Sequence, residues 1–222
     1  MNTIFHSSDK SLYIANKDDP SRSNIEGVIR NQFLKVHHAQ ITHYAPSILC
    51  LYNNQELVSS IGITCAAEQP LFVERYFQES LESTIKMTTE CDAQRSEIIE
   101  LGNFSSFKRN GGNQLIFITA AWIYLYKHHF KHILFTLTNQ VARQLISLNF
   151  PLVYIQEASN QQLSNREKKQ WGTYYNQKPS IYYISINKTI SILKKHAPDI
   201  WHTSLTIAKQ YTPTQKQANK TC

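Results

Sequence analysis

Ser96-Glu97-Ile98-Ile99-Glu100-Leu101-Gly102-Asn103-Phe104, a polar stretch from Ser105 to Gln114 that carries Gly111-Gly112, and an apolar run from Leu115 to Leu125 read as strand, glycine-bearing loop and helix. A strand that ends at Gly102-Asn103 can splay from its neighbour. Two adjacent glycines let backbone N–H groups approach a ligand, and the N-terminus of the following helix faces the same space with about half a positive charge. Side chains alternate across a strand, so Glu97, Ile99 and Leu101 share one face and Ile98 and Glu100 the other. Glu100 then stands near the strand's end, beside a possible anion cradle. An ordinary loop fits the same residues, since neither a Walker loop nor a dinucleotide fingerprint is present.

The rest of the chain supplies the sheet this unit needs. Ser11 to Ala15 is one short strand in a polar leader, residues 1–23. Ile25, Val28, Ile29, Phe33 and Val36 recur at spacings of three and four, an amphipathic helix with Asn24 as its cap and His37-His38 at its end. Ser47 to Tyr52 and Leu57 to Cys65, joined through Asn53-Asn54-Gln55-Glu56, read as a hairpin. Leu71 to Phe77 fits a short helix or a strand, and Ser80 to Met87 a short helix. The central strand is Glu97 to Leu101. His132 to Thr138 is a strand followed by a helix capped by Asn139, with Asn149 a left-handed stop before Phe150-Pro151. Val153 to Ile155 and Ser180 to Ile186 are strands, with a short helix through Trp171 between them. The alternation predicts an α/β fold in residues 24–186: a mixed, mostly antiparallel sheet with parallel neighbours in its middle and helices on both faces. Residues 187–222 are expected to add a basic C-terminal helix, Lys188 to Lys209, and a polar, disordered tail, Gln210 to Cys222.

Charge bears on what such a unit could bind. Residues 1–107 carry 8 Lys+Arg against 13 Asp+Glu, and residues 108–222 carry 15 against 3, so the net +7 is the sum of −5 and +12. The second half is a candidate for contact with an anion: an acidic carrier protein, a pyrophosphate, a lipid surface or nucleic acid. A solvated basic face explains it equally, and nucleic acid has no motif behind it. Cys50, Cys65, Cys91 and Cys222 fall at no metal or disulfide spacing, no pair of the nine histidines has zinc-helix spacing, and no nucleophile elbow is present. Met1 to Asp9 holds no basic segment followed by an apolar stretch. The longest apolar run, about twelve residues, falls short of a membrane span. A cytoplasmic protein is expected.

Leu71-Phe72-Val73-Glu74-Arg75-Tyr76-Phe77 with Glu82, Arg95-Ser96-Glu97-Ile98-Ile99-Glu100-Leu101-Gly102-Asn103, Phe135-Thr136-Leu137-Thr138, Leu148-Asn149-Phe150-Pro151-Leu152 and Trp171-Gly172-Thr173-Tyr174-Tyr175 with Pro179 resemble, in this order, the thermostable hemolysin family. The family is more distantly similar to GNAT acyltransferases and to acyl-homoserine lactone synthases, whose Glu-x-Ser-Arg-Phe pattern here reads Glu100-Leu101-Gly102-Asn103-Phe104. The resemblance implies a GNAT-like fold and acyl transfer to a small amine from acyl-CoA or the acyl-pantetheine of an acidic acyl-carrier protein, with no tightly bound cofactor. It implies that Glu100 is the base, that Asn103 and Phe104 line a parting of two strands, and that Arg109, Gly111, Gly112 and Asn113 form the anion loop. Departures qualify this. Gln114 takes a small-residue position, Leu145 stands where many GNAT enzymes keep an acid-donating tyrosine, and Asn103 and Thr64-Cys65 replace residues of the lactone synthases. Lactone synthesis itself is therefore not expected.

Two further groups are candidate substrate contacts. Glu74-Arg75 is a possible charged pair, with a weak exposed ion pair as the plain reading. Trp171 and Tyr174 are a possible wall for an acyl chain, with core packing as the plain reading. Against an acyltransferase stands a non-catalytic cytolytic protein, which the family's name implies and which would contact membranes through the basic half.

Overall fold

The hairpin forms as its sequence asks. β2 (Ser47–Asn53) and β3 (Glu56–Cys65) are joined by Asn54 and Gln55, both at positive φ, 48° and 67°, a turn whose twist matches the paired strands. In this computed structural model, which describes residues 10–107 and 111–209, the hairpin is extended on one side by β1 (Lys10–Ala15) and on the other by β4 (Ile98–Ser106), all antiparallel. β4 then pairs in parallel with β5 (His132–Leu137), a geometry that requires a crossover, and α3 (Gly111–Lys127) supplies it. β7 (Ser180–Ser185) and β6 (Val153–Glu157) complete an order β1-β2-β3-β4-β5-β7-β6.

Alternation along the strands divides the core. Leu49, Ile61, Ile63, Ile99, Leu101, Ile133 and Phe135 pack on one face against α3, Leu145 of α4 (Asn139–Ser147), and the pair α6 (Ile186–His196) and α7 (Pro198–Lys209). On the opposite face, Ile48 and Cys50 meet Ile25, Ile29 and Phe33 of α1 (Arg22–His37). There too Ile98, Leu134 and Ile181 meet Val73 and Tyr76 of a 3-10 helix (Phe72–Tyr76) and Leu81 and Ile85 of α2 (Leu81–Thr89). α5 (Asn165–Gln170) lies between β6 and β7 in sequence. The fold is that expected, a mixed α/β sheet covered on both faces.

Several boundaries differ from the sequence reading. The central strand starts at Ile98, because Glu97 closes a 3-10 turn and its carboxylate pairs with Lys131 instead of joining the face of Ile99 and Leu101. It runs on through Gly102-Asn103 to Ser106, held by β3. Gly111 and Gly112 belong to the first turn of α3, not to a loop before it. Ser21 and Thr138, not Asn24 and Asn139, occupy the N-cap positions of α1 and α4. The basic C-terminal segment is two helices, broken at Ala197 because Pro198 disfavours a helical residue before it.

Candidate functional site

The ladder between β4 and β5 runs from Ile98–His132 to Leu101–Phe135 and stops. β4 continues for five residues along β3, and β5 for two along β7, so the neighbours part. A bulge drives the divergence. Asn103 has φ 49°, and the register on β3 jumps from Ser60–Ser105 to Gly62–Gly102, which leaves Asn103 and Phe104 both opposite Ile61. The extra residue bends β4 and returns Phe104 to the α3 face, where it packs on the core.

Asn103 has a structural task. Its Oδ1 accepts the Ala45 N–H at 3.0 Å, tying the segment after α1 to the bulge. Gly62 permits this approach, for a Cβ there would lie 2.6 Å from the Cβ of Ala45 and 3.0 Å from Oδ1 of Asn103. Gly102, by contrast, faces open space, with nothing within 4 Å of where its Cβ would be. It follows Glu100 on the same face of β4, at the mouth of the opening.

Glu100 is 8% exposed. Its Oε2 accepts the N–H groups of Phe72 at 2.5 Å and Val73 at 3.3 Å, the first donors of the 3-10 helix, while Oε1 has no partner among the described residues. Burial raises its pKa from the ordinary carboxylate value to about 7, with the two amides and the Arg75 charge pulling the other way. A carboxyl poised there exchanges protons at neutral pH. Across the mouth, Tyr174 Oη donates to the carbonyl of Thr136 at 3.1 Å, one residue beyond the last ladder pair. Burial first, then Tyr175 and Glu100, raise the Tyr174 pKa, so its hydroxyl stays protonated.

Glu74 and Arg75 do not pair with each other. Successive residues of a 3-10 helix diverge by about a third of a turn, and each finds a distant partner. Glu74 accepts the Leu71 N–H at 2.7 Å and a forked bond from Arg95 at 2.7 and 3.2 Å. Arg75 lies over the Phe72 ring at 4.0 Å and donates to Glu167 at 2.8 Å. Trp171 meets Phe33, Phe72, Tyr174 and Tyr175 with ring centroids 5.1–6.3 Å apart, and the Tyr175 and Tyr76 hydroxyls bond at 2.5 Å. Thr173 explains how this aromatic group is held: its N–H and hydroxyl both donate to the carbonyl of His37 at the end of α1, at 2.8 and 2.9 Å.

Of the residues singled out in the sequence, Glu100, Arg75, Trp171 and Tyr174 therefore gather on one face around the parting. Glu74 lies in the supporting ion pair, and Asn103 and Phe104 shape the bulge. Gly111, Gly112 and Asn113 form the first turn of α3, and Arg109 lies outside the described residues. Sequence reading missed Phe72 and Val73, Thr136, Tyr76 and Tyr175. All five lie within stretches that carry the family resemblance, but none was singled out as a site residue. Among the described residues no three His, Cys, Asp or Glu side chains gather as metal ligands, and no helix is long and apolar enough to cross a membrane.

A profile of the family described as "Thermostable hemolysin" matches residues 15–190. No curated protein matches the chain in sequence. Among solved structures, the chain resembles BjaI, a CoA-dependent acyl-homoserine lactone synthase solved with SAM and isopentyl-CoA (TM-score 0.56, 10% identity, 84% of this chain and 88% of that one). It also resembles the synthase LasI (0.57, 11%, 82% and 93%) and FeeM, an N-acyl amino acid synthase from uncultured soil microbes (0.54, 10%, 82% and 93%). At these identities the likeness is one of fold, and that fold is GNAT-like.

Proposed function

The chain belongs to the thermostable hemolysin family, and we propose that it is an acyltransferase that moves an acyl group from a thioester donor, acyl-CoA or a carrier protein's acyl-pantetheine, to a small amine. The observation that carries this is the parting of β4 from β5 beyond Leu101 and Phe135, with Gly102 facing open space and one buried carboxyl, Glu100, on the same side. A thin thioester arm fits between two strands whose edge N–H and C=O groups are no longer paired to each other. The folds of BjaI and LasI, both acyl-homoserine lactone synthases, and of FeeM, an N-acyl amino acid synthase, support the reading.

In this reading the amine nitrogen attacks the thioester carbonyl. A C–N bond forms, the C–S bond breaks, the ammonium proton passes to Glu100 and the thiolate leaves to be protonated by solvent. With a pKa of about 7, Glu100 is ionised often enough to accept that proton and weak enough as a base to release it afterwards. Tyr174, held protonated, gives its one O–H to the Thr136 carbonyl and so fixes the β5 lip of the opening. In this reading the first-turn N–H groups of α3, which a helix leaves without intrahelical acceptors, serve the phosphates of the carrier arm.

The test is thiol release from a panel of acyl-CoA and acyl-carrier-protein thioesters with amino acids and simple amines as acceptors. Activity that falls about a hundredfold or more in Glu100→Gln is expected. Absence of Glu100-dependent release with every donor would overturn the reading. The cytolytic alternative rests on the family's description and on the basic second half of the chain, and vesicle leakage undiminished in Glu100→Gln would favour it.

A further inference from the structure

Three arginines on the Glu100 side of the sheet bond to carboxylates, and they differ in how much of each guanidinium the fold uses. Arg22 uses all three nitrogens, on Glu26 and on the carbonyls of Ala15, Ala45 and Pro46. Arg95 does the same with both oxygens of Glu74 and the carbonyl of Ala66. Arg75 does not. Its Nη1 donates to Oε1 of Glu167 at 2.8 Å, while Nη2 and Nε have no acceptor among the described residues. The second oxygen of Glu167 is taken by the N–H and hydroxyl of Ser164, at 2.9 and 2.8 Å. A guanidinium held by one corner keeps a two-pronged edge open, the shape that pairs with a carboxylate.

That edge is fixed in place and accessible. Cζ of Arg75 lies 4.0 Å from the centre of the Phe72 ring, which Trp171 backs at 5.8 Å, and the Arg75 side chain is 34% exposed. Phe72 is also the residue whose N–H grips Glu100. About 5 Å separates the amide nitrogen of a phenylalanine from its ring centre, so the guanidinium and the Glu100 carboxyl, both fixed to Phe72, stand at most about 12 Å apart. The Arg75 charge is felt at Glu100, where it favours the ionised form. A carboxylate paired with Arg75 has its carbon about 4 Å from Cζ, and an amine bonded to Glu100 lies about 3 Å from it. The gap left between that carbon and that nitrogen is at most about 5 Å. An α-amino acid, whose nitrogen lies about 2.5 Å from its carboxyl carbon, fits within it.

We infer that the acyl acceptor is an amino acid, whose carboxylate takes the open edge of Arg75 while its amine faces Glu100. The inference rests on the acyl-transfer reading and narrows the acceptor from any small amine to one with a carboxylate close to its nitrogen. Glu167 then holds the guanidinium from the far corner without occupying the edge the ligand uses. A carboxamide in place of the carboxylate loses the charge and one acceptor oxygen.

Thiol release from acyl-CoA and acyl-carrier-protein thioesters tests this, with glycine, alanine, leucine and phenylalanine as acceptors, each against its carboxamide. The carboxamide keeps more of its amine unprotonated at neutral pH, so without recognition of the carboxylate it is the faster acceptor. The expected result is a kcat/KM larger for a free amino acid than for its amide by roughly tenfold or more. Arg75→Gln loses that preference through a rise in KM for the amino acid, and Arg75→Lys keeps part of it. Glu167→Gln, which breaks the same ion pair from the other side, keeps it. Amides that react as well as every amino acid would overturn the inference and leave the acyl-transfer reading standing, and this comparison on the native protein holds even if Arg75→Gln does not fold. Equal loss of the preference in Arg75→Gln and Glu167→Gln would also overturn it, since Arg75 would then matter only through its ion pair. Absence of thiol release with every acceptor would overturn both.

Discussion

The backbone amide of Phe72 lies 2.5 Å from Oε2 of Glu100, so a 3-10 helix 28 residues earlier in the chain fixes the one buried carboxyl beside the opening. That contact prefers the ionised form, yet burial outweighs it and the folded pKa stands near 7, above the ordinary carboxylate value. The consequence for stability has a definite sign. Between about pH 4.5 and 7 the folded protein holds a proton that the unfolded chain has released, so stability attributable to Glu100 is full below the lower value and is lost as the pH rises through the upper. Relative to the native protein, Glu100→Gln is expected to gain stability as the pH rises through this window, by up to about 3 kcal/mol above it. Denaturant unfolding of both proteins at several pH values measures it. A difference that stays flat across the window would mean that Glu100 titrates normally.

Gly102→Ala separates the site from the scaffold. Its new methyl group meets nothing within 4 Å, so it costs the fold little, and alanine's lower unfolded-state freedom favours it by roughly 0.5 kcal/mol. The same methyl group projects into the opening next to Glu100. Unchanged thermal stability with a severalfold rise in KM for the acyl donor is expected. Unfolding destabilised by several kcal/mol, or unchanged kinetics, would argue that the space at Gly102 is not used.

Arg95 holds Glu74 by two bonds, and Glu74 in turn accepts the Leu71 N–H at the start of the helix that grips Glu100. Burial acts against the Glu74 charge, but the Arg95 fork and the Leu71 amide outweigh it and lower its pKa. Its stabilisation is thus present at neutral pH and lost on acidification. Both side chains are partly exposed, so a double-mutant cycle of Glu74→Gln and Arg95→Gln should give a coupling of only about 1 kcal/mol at neutral pH, shrinking as the pH falls below the unfolded carboxylate value. A coupling indistinguishable from zero at neutral pH would place the anchoring of this helix elsewhere.

What could be read in the sequence follows from how local each cause is. The β2–β3 hairpin announces itself through Asn53-Asn54, and α3 through its apolar run, because turn chemistry and periodicity act over a few residues. Gly102-Asn103 looked like the end of a strand, since both residues break regular pairing. Asn103's bond to Ala45, 58 positions away, turns the break into a bulge and lets β4 continue. Glu74 and Arg75 looked like a pair because they are adjacent, but their partners lie 21 and 92 residues off. Glu100 could be singled out as the acid near the strand's end. Its grip by Phe72 and Val73 could not, since backbone amides carry no residue signature.

Trp171-Gly172-Thr173 shows how much a motif can depend on one missing side chain. Gly172 has φ 51°, and a Cβ there would lie 2.4 Å from the His38 carbonyl oxygen and 2.5 Å from that of His37. These are backbone atoms at the end of α1, which cannot swing aside, and Thr173 uses the same His37 oxygen for two bonds. Gly172→Ala combines a strained left-handed backbone with a collision, and an expected loss of more than about 2 kcal/mol follows. Because this loop holds Trp171 against Phe72 and Tyr174 at the Thr136 carbonyl, the damage should reach the site: a fall in melting temperature of roughly 4 °C or more, together with a change in Trp fluorescence and a drop in activity at temperatures where the fold persists. A variant that melts like the native protein would show that the loop can back away from α1, and that the position of Tyr174 at the Thr136 carbonyl is set by its own contacts instead.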